Sequence, residues 1–262
     1  MNTTAVVFRA GLRDLARNKW LAAYAAGFFV LAEGLFWFGG TGPQVVLSLL
    51  NVVLLIVPLV SLVFGTMHVY ASREFVELLL TQPVPRQRLF TGLYLGLALP
   101  LAGAFVAGTA LPFVFHLNSG ARFGALATLL FAGIALSVVF AALATWIALS
   151  TDDRLRGVGV ALGTWLIATV VYDGVVLAIS ATMSRYPLET PMLGLMAFNP
   201  VDLARVLVLT QLDASALMGY TGALFQRTFG TPLGVALSLA ALALWSATPL
   251  SLAARRFRRR DF

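Results

Sequence analysis

Residues 72–90 read SREFVELLLTQPVPRQRLF, a charged interruption between two long apolar runs. Ser72 is a candidate helix cap, because its hydroxyl can accept a hydrogen bond from a free backbone N–H of the first turn. Glu74 and Glu77 follow near the start of the helix, where the helix dipole favours acidic side chains. The stretch therefore predicts a short helix lying across one mouth of a membrane bundle.

Apolar residues in the same stretch predict which face of this helix is buried. Phe75, Leu78 and Leu79 are spaced i, i+3, i+4 and form one apolar stripe, which we expect to seat the helix. The helix ends before Pro83, because the residue preceding a proline is pushed out of the α region. These signals predict a helix over 72–82.

The rest of the chain excludes a soluble protein. Of its 262 residues, 60% are hydrophobic and 11% are charged, whereas an ordinary globular domain is about 25% charged. The apolar runs are long and continuous, which favours membrane helices over the alternating strands of an outer-membrane barrel. The sequence has no cysteine, so it offers no disulfide, thiolate metal site or cysteine nucleophile.

Six apolar runs exceed the ~20 residues that cross the hydrocarbon layer, which predicts an all-α integral membrane protein with a transmembrane domain over 20–253. Residues 1–19 carry Arg9, Arg13 and Arg17 in one helical stripe, typical of an amphipathic helix on the membrane surface. The expected spans are 20–38, 45–70, 90–115, 123–150, 157–182 and 229–253, with Pro58, Pro100, Pro112 and Pro249 inside them.

The distribution of basic residues predicts the orientation. The two termini, residues 72–90 and residues 151–156 together hold 14 of the 18 Lys and Arg residues. Short loops rich in Lys and Arg stay in the cytoplasm, so both termini and the 72–82 helix are expected there. The basic tail 254–262 is expected to contact lipid. The positive charge is thus explained without nucleic acid.

The 72–90 stretch resembles the coupling helix of type-2 ABC transporter permeases, which docks into the ATP-binding subunit. The resemblance implies a homodimer in the bacterial inner membrane with two copies of an ABC ATPase, which binds ATP and Mg; this chain carries no cofactor. The lone lysine, Lys19, is not in a Walker A loop. The matching residues are Glu74, Phe75, Glu77, Leu78, Leu79, Leu80, Thr81, Pro83 and Arg86.

A second segment, 183–228, is expected outside the cytoplasm. Asn199-Pro200-Val201-Asp202 is typical of a helix start, and the apolar run 201–212 is too short to span, which indicates re-entrant or interfacial helices. The wording NPVDLARVLVLTQLDASALMGYTGALF resembles the permease subunit of the ABC system that matures the copper site of nitrous oxide reductase. That resemblance implies delivery of copper or a sulfur species, and a periplasmic accessory partner contacting Asn199, Pro200, Asp202, Arg205 and Asp213.

Isolated polar groups give further candidates. Glu33 and Asp173 fall inside spans, where an ionisable group is a functional-site hypothesis; the alternative is interfacial placement, with Asp173 paired to a hydroxyl or to Arg185. His68 and His116 are expected on opposite membrane faces, which prevents a shared metal site. Thioethers suit Cu(I) but also fill packing gaps, and the four in question are Met183, Met192, Met196 and Met218.

No residue set in the chain predicts an enzyme active site. Two other functional classes stay open beside the copper-maturation permease. A type-2 exporter of lipid, drug or polysaccharide predicts a lipid-side cleft between protomers. A non-transporting membrane scaffold predicts no ATPase partner.

Overall fold

The computed structural model describes residues 19–38, 41–81, 85–116, 123–182, 194–212 and 231–259. The surface helix expected over residues 1–19 lies outside this part of the chain except at Lys19. The same holds for several candidate site residues, namely Pro83, Met183, Met192, Asp213 and Met218.

The described residues form helices and no strands. The first five helices in chain order are α1 Lys19–Trp37, α2 Gly42–Ala71, α3 Arg73–Leu80, α4 Arg86–Phe115 and α5 Phe123–Ser150. The next, α6, joins α-helical Arg154–Leu166 to a π-helical Ile167–Val171 and then to α-helical Tyr172–Thr182. It is followed by α7 Pro200–Gln211 and α8 Pro232–Arg259.

Six of these helices, α1, α2, α4, α5, α6 and α8, are long and apolar enough to cross a membrane. The six predicted spans are therefore confirmed, with boundaries shifted by a few residues. The largest shift is at the end of α8, which continues to Arg259 instead of ending at residue 253. It continues because Ala253 and Phe257 are buried against α3 and α4, so the first part of the basic tail is helical.

The helix α5 lies at the centre of the bundle and packs against α2, α4, α7 and α8. It carries no charged residue, and a helix that is apolar all round is a buried one. Its Leu129, Leu136 and Phe140 are fully buried. By contrast, only 6% of the apolar window of α6 is buried, so this helix lies at the edge of the bundle.

All four expected intrahelical prolines are present, in α2, α4 and α8. A proline removes one backbone donor, and neighbouring groups must compensate in an apolar environment. One such neighbour is Trp165 of α6, whose indole Nε1–H donates to the Leu55 carbonyl at 3.0 Å, within one turn of Pro58.

The helices α1 and α4 run parallel and approach closely at Gly108. A Cβ atom there would lie 2.3 Å from the Ala25 carbonyl oxygen and 3.0 Å from the Phe28 Cβ. Because the first of these atoms is backbone, it cannot rotate away. The position therefore requires glycine for the two helices to touch.

We expect Gly108→Ala to destabilise the protein by about 1–3 kcal/mol, the usual cost of overpacking a core. Thermal unfolding in detergent measures this. The matched control is Gly103→Ala in the same helix, where no heavy atom lies within 4 Å of the added Cβ. Equal melting temperatures for the two variants would contradict the close contact between α1 and α4.

Candidate functional site

The helix α3 is seated by a residue that the sequence pattern did not single out. Val76 is 3% exposed and packs in a cluster with Leu89, Phe90, Leu149 and Phe257. Leu79 and Leu80 are partly buried against the same cluster, so the inward face follows the spacing 76, 79, 80. This cluster joins α3 to the start of α4 and to the ends of α5 and α8.

The expectation that Phe75, Leu78 and Leu79 together seat the helix is wrong for two of the three. Phe75 is 45% exposed and Leu78 is 68% exposed. The reason is geometric, because each residue turns about 100° around a helix and burying Val76 rotates Phe75 outward. The outward face of α3 is therefore both acidic and apolar, and it consists of Glu74, Phe75, Glu77, Leu78 and Thr81.

Ser72 does not cap α3, contrary to expectation. Its hydroxyl donates to the His68 carbonyl at 2.8 Å, and its backbone has helical dihedral angles. The chain passes from α2 into α3 almost without a break, and Val76 N–H bonds to the Ser72 carbonyl at 3.0 Å. The predicted range 72–82 thus shortens to Arg73–Leu80.

Arg73 fixes the start of α3 to the end of α5. Its guanidinium donates to the carbonyls of Ala148, Thr151 and Asp152 at 3.0, 2.9 and 3.0 Å. These carbonyls lie at and beyond the last turn of a helix, where no intrahelical donor remains. The guanidinium also lies 4.4 Å from the centre of the Tyr70 ring.

Arg86 makes a similar connection at the start of α4, and its Nη1 donates to the Arg258 carbonyl at 3.0 Å. Close by, the rings of Phe90 and Phe257 lie 5.6 Å apart. The ends of five long helices therefore surround α3. We call this region, formed by Arg73–Leu80 and the adjoining ends of α2, α4, α5, α6 and α8, the α3 end.

The helix α7 begins as the sequence predicted, with Asn199 as cap and Pro200 first in the helix. The Asn199 carbonyl oxygen accepts from Val201 N–H at 3.0 Å, and its amide donates to the Ala168 carbonyl at 2.9 Å. Ala168 lies in the π-helical turn of α6. The cap thus fixes α7 to α6 as well as starting the helix.

Arg205 joins α7 to α6 through Asp173. Its Nη2 lies 2.8 Å from Asp173 Oδ2 and its Nη1 lies 3.3 Å from Oδ1, while Nη1 also donates to Asp202 Oδ1 at 2.9 Å. The expected partner of Asp173, a hydroxyl or Arg185, is replaced by Arg205, because α7 folds back against α6. The arrangement is a planar guanidinium between two carboxylates, a geometry that suits arginine.

Direct contact of this group with an accessory protein is not supported by its burial. Asn199 and Asp202 are almost fully buried, at 2% and 3% exposure, and Pro200 is buried as well. Their polar atoms bond to one another and to α6. These residues hold α7 in place, while the neighbouring Phe198 is exposed.

Glu33 meets His116 instead of reaching outward alone. Its Oε2 lies 3.7 Å from His116 Nδ1, and both side chains are about one-third exposed. The imidazole stacks on Phe36 with ring centres 4.4 Å apart. His68 lies near the α3 end and His116 at the opposite end of α4, so the two histidines occupy opposite ends of the bundle, as expected.

Met196 packs with Val176, Leu195 and Val206 in a small apolar cluster. Its thioether therefore fills a packing gap between α6 and α7. Within the described residues, no group of three or more His, Cys, Asp or Glu side chains could hold a metal ion. Copper binding by the four methionines stays a prediction.

The chain is similar to known membrane permeases over nearly its whole length. The family of ABC-2 family transporter proteins matches residues 12–262. The chain is 30% identical over 271 residues to a probable ABC transporter permease protein NosY of Pseudomonas aeruginosa, covering 97% of each chain. It is 28% identical over 278 residues to the protein of the same name from Stutzerimonas stutzeri, covering 99% of each.

We expect Asp202→Asn to change how stability depends on pH. Burial, more than the neighbouring Asp173, raises the pKa of Asp202 to about 6, whereas an unfolded aspartate titrates near ~3.9. Between these values the folded protein holds a proton that the unfolded chain has lost, so rising pH lowers the free energy of unfolding.

The neutral variant lacks this proton, so its melting temperature relative to the wild type is expected to rise between about pH 4 and about pH 6. Thermal unfolding in detergent across that window measures the difference, in which all other titrating groups cancel. Parallel curves for the two proteins would contradict a raised pKa at Asp202.

Proposed function

The chain belongs to the ABC-2 family of transporter proteins and is a membrane permease subunit that works with an ABC ATPase, and we propose that the outward face of α3 is where that ATPase docks. The observation that carries the proposal is the exposure of Phe75 and Leu78 beside Glu74 and Glu77, on a helix that is otherwise firmly held. ATP binding and hydrolysis then belong to the partner.

The mixed character of this face supports a protein partner over lipid alone. Two acidic side chains are disfavoured against an anionic leaflet, where basic segments are attracted. Two exposed apolar side chains beside them match a cleft that offers basic and apolar groups together. Arg73 and Val76 hold the helix against the bundle, so a force applied to the face reaches the membrane helices.

We assign the α3 end to the cytoplasm on the distribution of basic residues. Among the described residues, that end carries Arg73, Arg86, Arg88, Arg154, Arg156, Arg255, Arg256, Arg258 and Arg259, and the end that holds α7 carries Arg205. The Lys and Arg bias of short loops sets orientation. Two copies of the chain would each present one α3 to one ATPase, which gives a homodimer with two docking points in the bacterial inner membrane.

The process served by the permease is inferred from its relatives. Similarity to permeases named NosY extends over nearly the full length, and the segment around α7 carries the resemblance to the copper-maturation system of nitrous oxide reductase. We therefore assign the chain to delivery of copper, or of a sulfur species, to that enzyme. A periplasmic accessory protein would meet the segment that includes the exposed Phe198.

Reversal of both acidic charges, Glu74→Lys with Glu77→Lys, is expected to abolish recovery of an ABC ATPase in a pull-down from the native membrane. The intact chain is expected to recover it. A matched control is Arg156→Glu, which reverses an 83% exposed charge at the same end but off α3.

Three results in this pull-down are informative. Loss of the ATPase from the α3 variant and its retention by the Arg156 control would support the docking face. Undiminished recovery by the α3 variant would refute it. Absence of any ABC ATPase from the intact protein would refute the partnership itself.

A further inference from the structure

The helix α6 is bound by polar groups at both ends and is nearly bare between them. Only 6% of its apolar window is buried, against 50–56% for α2, α4 and α5. A helix with so little packing can shift without disturbing the close-packed core. What it contacts at its two ends therefore decides what moves with it.

At the α3 end, α6 begins directly beyond the turn that Arg73 holds. Arg73 bonds to the Thr151 and Asp152 carbonyls, and the Tyr70 hydroxyl donates to the Thr151 carbonyl at 3.0 Å. The next residue, Asp153, caps α6 by accepting from Leu155 N–H at 2.8 Å. A displacement of α3 is therefore transferred through this turn to the first residue of α6.

At the other end, two contacts join α6 to α7. The Ala168 carbonyl in the π-helical turn receives the Asn199 amide, and Asp173 receives the Arg205 guanidinium. Asp173 lies 19 residues beyond Arg154, about 28 Å along a helix that rises ~1.5 Å per residue. One weakly packed rod thus connects the two polar junctions.

We propose that α6 passes the motion of a docked α3 to α7, and that Arg73, Asp173 and Arg205 are the positioning residues of this connection. The proposal rests on the docking of an ATPase at α3. Polar junctions suit the task because hydrogen bonds are directional, whereas apolar contacts can slide. The result would be a movement of α7 and of the exposed Phe198 when the ATPase binds nucleotide.

Natural absence of cysteine allows a direct test with single probes. Leu155→Cys places a spin label at the start of α6, and Phe198→Cys places one at the start of α7, both at side chains more than 70% exposed. The labelled full-length chain is reconstituted with the co-purified ATPase. Label mobility is then recorded with and without a non-hydrolysable ATP analogue.

With otherwise wild-type protein, both labels are expected to respond to nucleotide. Arg205→Met should abolish the response at residue 198 and keep the response at residue 155, and Asp173→Asn, which preserves side-chain size, should do the same. Arg205→Lys retains the charge and should restore part of the response. Arg73→Met should abolish both responses while the ATPase still co-purifies.

Two outcomes would overturn the proposal while leaving ATPase docking intact. One is a silent label at residue 198 in a wild-type complex that contains the ATPase. The other is an undiminished response there in both Arg205→Met and Asp173→Asn. Absence of the ATPase from the purified complex, seen on a gel before nucleotide is added, would refute the docking and this proposal together.

Discussion

A helix that ends in apolar surroundings leaves carbonyl groups without donors, and Arg73 supplies those donors at the end of α5. Much of the α3 end depends on this one guanidinium. It fixes the turn between α5 and α6 and holds the first residue of α3 in place. With that residue fixed, burial of Val76 sets the rotation of α3 and so decides which side chains face outward.

The few charged residues of the chain are used in the same way at the opposite end. Arg205 lies between Asp173 and Asp202, and all three connect a short helix to an exposed one. Exposed ion pairs contribute ~1 kcal/mol or less, while removing one partner of a buried pair costs about 3–5 kcal/mol. With Arg205 and Asp173 about 30% exposed, their pair lies between these limits. Its importance therefore lies in geometry more than in stability.

The extent of the fold was predictable because the bilayer fixes it. Continuous apolar runs defined six spans, and Asn199 with Pro200 defined the start of α7. The rotation of α3 was not predictable, since Val76 and Phe75 both fit an apolar stripe. The choice between them depends on Phe257, which lies far away in the sequence.

The pairing of charges was missed for a similar reason. Asp173 and Arg205 are 32 residues apart, and only the folding of α7 against α6 brings them together. Glu33 and His116 meet because α1 and α4 run parallel, which no local pattern reveals. A polar residue inside a span indicated that a partner must exist, and hydropathy alone cannot identify that partner.

The docking of the ATPase on the outward face of α3 is tested most directly by photo-crosslinking within the intact complex. A photoreactive amino acid is placed at residue 78 in one protein and at residue 76 in another. Because Leu78 is 68% exposed and Val76 is 3% exposed, a crosslink to the ATPase is expected from position 78 and a crosslink within the chain from position 76. ATPase adducts from position 76 alone, or only lipid adducts from position 78, would contradict the account.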